Sequence, residues 1–137
     1  MGKINIIKSY YEPKLSKQLP DYSVLGWETE EAHNMRFDVF VRNVDLQNKK
    51  LLDVGCGLGN LLEYLQKRNI NVDYTGVDIL EKMIDRAKNK NPNARFICAD
   101  IFKSNVLDNE RFDVVYASGI FNIDLGNNKE FLHVALQ

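Results

Sequence analysis

Apolar positions along this chain follow two rhythms, a helical one of about three and a half residues and a series of short unbroken runs, and the two alternate from residue 29 onward. Phe37, Phe40, Val41 and Val44 recur at i, i+3, i+4 and i+7, a helical stripe. Thr29 ahead of it suits an N-cap, and Glu30 and Glu31 suit the positive end of the helix dipole. His33, near the start of this helix, reads as a surface residue. A polar connection over 45–50 leads into the run Leu51, Leu52, Asp53, Val54, which predicts a strand. Leu61, Leu62 and Leu65 then predict a helix over 60–68, closed by Lys67, Arg68 and the C-cap type residue Asn69.

A second strand over 74–77 ends in Asp78. The helix after it, over 80–89, carries Leu80, Met83, Ile84 and Ala87 on one face and stops before Pro92, so Met83 is core packing. A third strand over 95–99 ends in Asp100 and is followed by apolar Ile101 and Phe102. Beyond a polar loop over 103–111, a fourth strand over 112–117 opens onto Ser118, Gly119, Ile120, Phe121 and Asn122. A last helix begins with Phe131, Leu132 and Leu136 and carries His133, which reads as a solvent or packing histidine. Strands alternating with helices predict an α/β fold, a doubly wound, mostly parallel sheet with helices on both faces. Residues 1–28 are less regular and read as an N-terminal arm, with a short helix near the start and a loop ending at Gly26 and Trp27. Its aromatics, Tyr10, Tyr11, Tyr22 and Trp27, either form a lid over a small-molecule site or pin the arm to the core.

Between the first strand and its helix stand Gly55, Gly57 and Gly59, at alternate positions. Glycine serves where the backbone takes positive φ or lets a ligand approach closely, and the free amides of a helix start attract an anionic group. The turn therefore has the character of a ligand cradle. Dinucleotide-binding turns want G-x-G-x-x-G. Gly55 and Gly57 match the first two glycines, but the third required position is Asn60, and the extra glycine falls one residue early at Gly59. About 20 residues beyond such a turn, an acidic residue at the tip of the next strand holds ribose hydroxyls, and Asp78 sits at that interval. The other reading of Asp78 is an N-cap for the helix that follows. Asp53, Asp78 and Asp100 stand at or just after three successive strand tips, where open α/β sheets bind their ligands.

Composition narrows the class without changing this picture. The chain has 137 residues, enough for one domain with a real core and too few for two. Apolar residues make up 45% and charged residues 27%, the balance of a globular protein. Eighteen basic against 19 acidic residues leave a net charge of −1, so no global field points to nucleic acid or an acidic membrane surface. No apolar run reaches membrane-spanning length and no secretory pattern is seen, which reads as cytoplasmic. Cys56 and Cys98 lie in apolar surroundings and read as buried thiols, and no His/Cys/Asp/Glu spacing suggests a metal.

The D-x-G-x-G-x-G pattern of residues 53–59, followed by Asp78, Asp100 and the Ser118 segment, resembles the class I, Rossmann-like S-adenosylmethionine-dependent methyltransferases of small-molecule type. The resemblance covers residues 25–122 and implies the cofactor S-adenosylmethionine and transfer of its methyl group to a small-molecule acceptor. It implies that Asp53, Gly55, Gly57 and Gly59 line the methionine part of the cofactor. Asp78 would bind the ribose hydroxyls, with Ile79 on the adenine face. Asp100 would accept from the adenine amino group, with Ile101 enclosing the ring. Ser118 and Gly119 would border the sulfonium, and Phe121 and Asn122 would face the acceptor. No residue stands out as a catalytic base; Tyr116, Asn122 and His133 are candidates by position alone.

Such folds have a seven-stranded sheet of order 3-2-1-4-5-7-6, and this chain ends after the fourth strand pattern. The expectation is therefore one domain over 1–137, an arm over 1–28 and a core over 29–137 of order 3-2-1-4, truncated before the C-terminal strands. The fourth strand would be left as an open apolar edge, which predicts a homodimer through residues 112–123. Two other readings stay open: a nicotinamide-dependent oxidoreductase, against which the misplaced third glycine and Asp53 argue, and a non-catalytic cofactor-binding module.

Overall fold

A computed structural model of the chain describes residues 3–17, 19–25 and 27–117. The elements are α1 (Lys3–Ser16), α2 (Asp21–Val24), α3 (Glu30–Asn43), β1 (Lys49–Val54), α4 (Asn60–Lys67), β2 (Val72–Asp78), α5 (Glu81–Lys90), β3 (Arg95–Cys98) and β4 (Val114–Tyr116). The four strands form one parallel sheet of order β3-β2-β1-β4, as the sequence pattern predicts. The register sets Leu51 opposite Tyr74 and Val114, Asp53 opposite Gly76 and Tyr116, and Asp78 opposite Cys98.

Local chemistry accounts for the element ends. Thr29 caps α3 by accepting the Ala32 amide at 3.0 Å. At the far end of α4, Asn69 takes φ 58°, a left-handed conformation asparagine tolerates. There the Ile70 amide bonds the Leu65 carbonyl and the Asn69 amide bonds that of Gln66, a Schellman closure.

β1 is central, and Leu51, Leu52, Asp53 and Val54 are all buried, the continuous burial of a parallel strand covered on both faces. On one face Leu51 packs with Phe37 of α3, Leu61 and Leu65 of α4, and Ile84 and Ala87 of α5. On the other, Leu52, Val54 and Val77 meet Leu107, Ile101 and Phe112 from the segment between β3 and β4. Each large apolar side chain so removed from water contributes on the order of 1.5–3 kcal/mol. A third cluster joins Val24 to Leu58, Leu80 and Met83, with Ile7, Tyr11, Leu15 and Leu25 against it, and this lays the N-terminal arm across the glycine turn and the start of α5.

Two expectations are corrected. His33 is buried, with 7% of its surface exposed, because it stands four residues before Phe37 on the inward stripe of α3; its ring lies 6.1 Å from that of Trp27 and 5.2 Å from that of Phe37. Cys98 is exposed, whereas Cys56 is buried as expected. β3 is an edge strand, and residue 98 stands at its last position. The arm is also more helical than its sequence suggests, with α1 running through Pro13.

Candidate functional site

The tips of β1, β2 and β3 converge on the glycine turn. Gly55, Gly57 and Gly59 take φ of 73°, 56° and 80°, the left-handed region that side chains resist, and the turn folds over so that the amides of Gly55 and Cys56 both reach the Val77 carbonyl, at 2.8 and 3.0 Å. A β-carbon on Gly57 would stand 3.0 Å from Cδ2 of Leu25, so the arm rests directly on the turn.

Asp78, at the end of β2, is the centre of the arrangement. Its Oδ2 accepts the Gly57 amide at 2.9 Å, and its Oδ1 accepts the Leu80 amide at 3.0 Å. The second contact is a local turn over two residues rather than the N-cap that sequence left open, since Leu80 occupies the N-cap of α5 without a side-chain cap, and the first contact ties the glycine turn to the neighbouring strand. Burial raises the Asp78 pKa, and the Leu80 and Gly57 amides oppose that rise. The Ile79 amide adds to the pull of those two, and a carboxylate offers about four acceptor positions in all. Ile79 beside it packs on the cluster of Val24, Leu58, Leu80 and Met83. Asp100, half-buried after β3, accepts the Phe102 amide at 3.0 Å, which turns the chain so that Ile101 packs with Leu52, Val54 and Val77.

Asp53 is placed differently from these strand-tip carboxylates. Only 4% of its surface is exposed, and it lies on the helix-covered face of the sheet, where the Tyr74 hydroxyl donates to its Oδ2 at 2.7 Å. Burial pushes its pKa up to about 7, against the pull of the Tyr74 hydrogen bond, with the Asp78 charge adding to the rise. Burial likewise raises the Cys56 thiol well above its ordinary value, which makes it an inert neighbour rather than a nucleophile.

The structure therefore brings together Asp53, Gly55, Gly57, Gly59, Asp78, Ile79, Asp100 and Ile101 at one end of the sheet. Ser118, Gly119, Phe121, Asn122 and His133 lie outside the described residues. Of the arm, sequence reasoning weighed only the aromatics and missed its polar fastening. Asp21 of α2 accepts from Nδ2 of Asn60 at 2.8 Å and from Nη2 of Arg86 at 2.9 Å, and it also pairs with Lys90, which fastens the arm to α4 and α5. Burial and the Asp78 charge raise the pKa of Tyr11, a sign that the arm reaches the β2 tip. Arg36 stacks on Trp27, its guanidinium carbon 4.1 Å from the ring centre. A groove of about 260 Å³ between α2, α3 and α4, with His33, Asn34, Asn60 and Tyr64 among its walls, has none of the strand-tip carboxylates in its lining. Among the described residues no group of His, Cys, Asp and Glu is arranged to hold a metal ion, and no helix is long and apolar enough to cross a membrane.

The family described as "Methyltransferase domain" matches residues 51–135, and the chain belongs to it. The ubiquinone biosynthesis O-methyltransferase of Coxiella burnetii is 39% identical over 85 residues, covering 59% of this chain and 35% of that protein. Among solved structures, the plantazolicin methyltransferase BpumL, in complex with a pentazolic desmethylPZN analog and SAH, is 26% identical with a TM-score of 0.57, covering 98% of this chain and 52% of that one. The magnesium protoporphyrin IX methyltransferase of Synechocystis PCC 6803, with bound SAM, shares the fold at 20% identity and a TM-score of 0.62, covering 85% of this chain and 62% of that one. The chain spans less than half the length of the curated relatives it matches.

Proposed function

We propose that this chain is the cofactor-binding core of an S-adenosylmethionine-dependent methyltransferase acting on a small-molecule acceptor. The observation that carries the reading is the Asp78 carboxylate at the tip of β2, bonded to the Gly57 amide of a left-handed glycine turn. In this reading Asp53 and the turn of Gly55, Gly57 and Gly59 receive the amino-acid end of the cofactor, and Asp78 takes its ribose hydroxyls. Ile79 and Ile101 flank the adenine, and Asp100 accepts from its amino group. Ser118 and Gly119 are assigned to the sulfonium end and Phe121 and Asn122 to the acceptor by the family pattern alone. When bound, the cofactor supplies an electrophilic methyl group; the chain's own residues hold and orient the reactants, and the arm excludes water.

We read residues 1–137 as one domain, an arm over 1–28 and a core over 29–137, working in the cytoplasm, where free thiols such as Cys56 and Cys98 persist. Pairing of two copies along the β4 edge belongs to the same proposal, since no further described strand pairs with β4. Calorimetric titration with S-adenosylhomocysteine, with NAD in a parallel cell, tests the cofactor class. Micromolar binding of the first and none of the second is expected; binding of NAD alone overturns the reading.

A further inference from the structure

β2 carries a residue that the glycine-turn pattern does not include. Tyr74 faces the helices, and its hydroxyl runs along the strand toward the sheet's ligand-binding end instead of ending in the core. The path exists because residue 76 is glycine: a β-carbon there would lie 2.8 Å from the Tyr74 hydroxyl oxygen, 2.9 Å from Cδ1 of Phe96 and 3.0 Å from the Cys56 sulfur. Gly76 is the register partner of Asp53, so the hydroxyl arrives beside that carboxylate and donates to its Oδ2 at 2.7 Å, leaving Oδ1 as an acceptor.

The titratable groups that face Asp53 are Tyr74 and Asp78 of β2 and Cys56 of the turn, with Tyr116 its register partner on β4. None of them is a cation, and α3 and α4 enter the same cluster with Phe37, Leu61 and Tyr64. A carboxylate almost wholly withdrawn from water and held, among the described residues, by one neutral donor is costly for a fold to keep, whereas a leucine there would extend the core at no such cost. Its position, two residues before Gly55, sets it under the turn proposed to receive a ligand end that bears an ammonium group.

Resting on the methyltransferase reading, we propose that Tyr74 is a positioning residue, which by its hydrogen bond turns the Asp53 carboxylate toward the ammonium group of the cofactor's amino-acid end. Tyr74 itself touches no ligand. Loss of its hydroxyl leaves the ring packed on Phe96 and frees the carboxylate to rotate and to take a proton more readily.

The test compares S-adenosylhomocysteine with methylthioadenosine, the same nucleoside thioether without the amino-acid end, by calorimetry on the unaltered chain, Tyr74→Phe and Asp53→Asn. Tyr74→Phe is expected to weaken S-adenosylhomocysteine about tenfold near neutral pH and to leave methylthioadenosine within about twofold. Raising the pH recovers part of that loss, because the carboxylate is again ionised. Asp53→Asn shows the same selective loss without the recovery. Parallel loss of both ligands, or unchanged affinity for S-adenosylhomocysteine, overturns the positioning role while leaving the methyltransferase reading intact. Failure of the unaltered chain to bind either ligand overturns both. Should Tyr74→Phe melt below the assay temperature, Asp53→Asn decides alone by the same selectivity.

Discussion

The Gly57 amide donates to Oδ2 of Asp78 at 2.9 Å across 21 positions of sequence. That one bond joins the turn after β1 to the tip of β2, so the carboxylate proposed to hold a ribose also fixes the shape of the turn proposed to hold the amino-acid end. Replacing Asp78 by alanine therefore acts twice. It removes the acceptor for two hydroxyls, weakening S-adenosylhomocysteine by about 30- to 150-fold. It also strips the partners of the Gly57 and Leu80 amides, which lowers the melting temperature. Calorimetry and thermal melting of the same variant separate the two effects, and unchanged affinity rules out the ribose assignment.

Gly76 to alanine is expected to destabilise the fold by about 2 kcal/mol or more, because three atoms from three elements already occupy the space a β-carbon needs. The Phe96 ring and the Cys56 sulfur are held by the core, so the shift falls on the Tyr74 hydroxyl and its bond to Asp53. Urea unfolding measures the loss. A variant as stable as the parent would mean that the strand relaxes freely at this point.

Asp53 gives the ligand-free chain an unusual pH dependence. Its carboxyl carries a pKa raised from 3.8 to about 7, so between those values the folded chain binds more protons than the unfolded one. Stability contributed by this group is therefore greatest at low pH and declines as pH rises toward 7, then stays level above it. Most carboxylates in ion pairs act in the opposite sense, and Asp53→Asn isolates the difference. Urea unfolding of parent and variant near pH 5 and near pH 8 is expected to show the parent losing more stability than Asp53→Asn over that interval. Equal slopes would show that the buried carboxyl ionises normally.

The strand tips and the glycine turn were legible in the sequence because their signals are local. Thr29 accepts the Ala32 amide, Asn69 takes the left-handed conformation, Asp78 ends β2, and Asp100 stands two residues past the end of β3. His33 was misread because its partners Trp27 and Phe37 outweigh residue type; the warning lay in its spacing, four before Phe37 on an apolar stripe. The exposure of Cys98 depended on strand order, which placed β3 at an edge. Nothing local marks the Tyr74 bond to Asp53 or the partners of Asp21, since each joins residues tens of positions apart.

Asp21 is where the arm is fastened, and its partners come from two helices at once: Asn60 from the first turn of α4, and Arg86 and Lys90 from α5, with Arg86 also donating to the Leu19 carbonyl at 3.2 Å. Burial alone would raise its pKa, but the hydrogen bonds from Lys90 and Asn60 and the two nearby cations lower it. The group therefore contributes stability that is present above the ordinary carboxylate range and is lost as pH falls through the depressed value. Asp21→Asn removes the charge and keeps the shape. The sheet and the helix-covered core do not depend on this side chain, so global stability is expected to fall by only about 1 kcal/mol. The arm, which rests on Gly57 through Leu25, is expected to open more often, and limited trypsin digestion reads that opening as faster cleavage after Lys14 and Lys17 with the core fragment left intact. Cleavage at the parent's rate would mean that Val24, Leu58 and Met83 hold the arm without the ionic fastening.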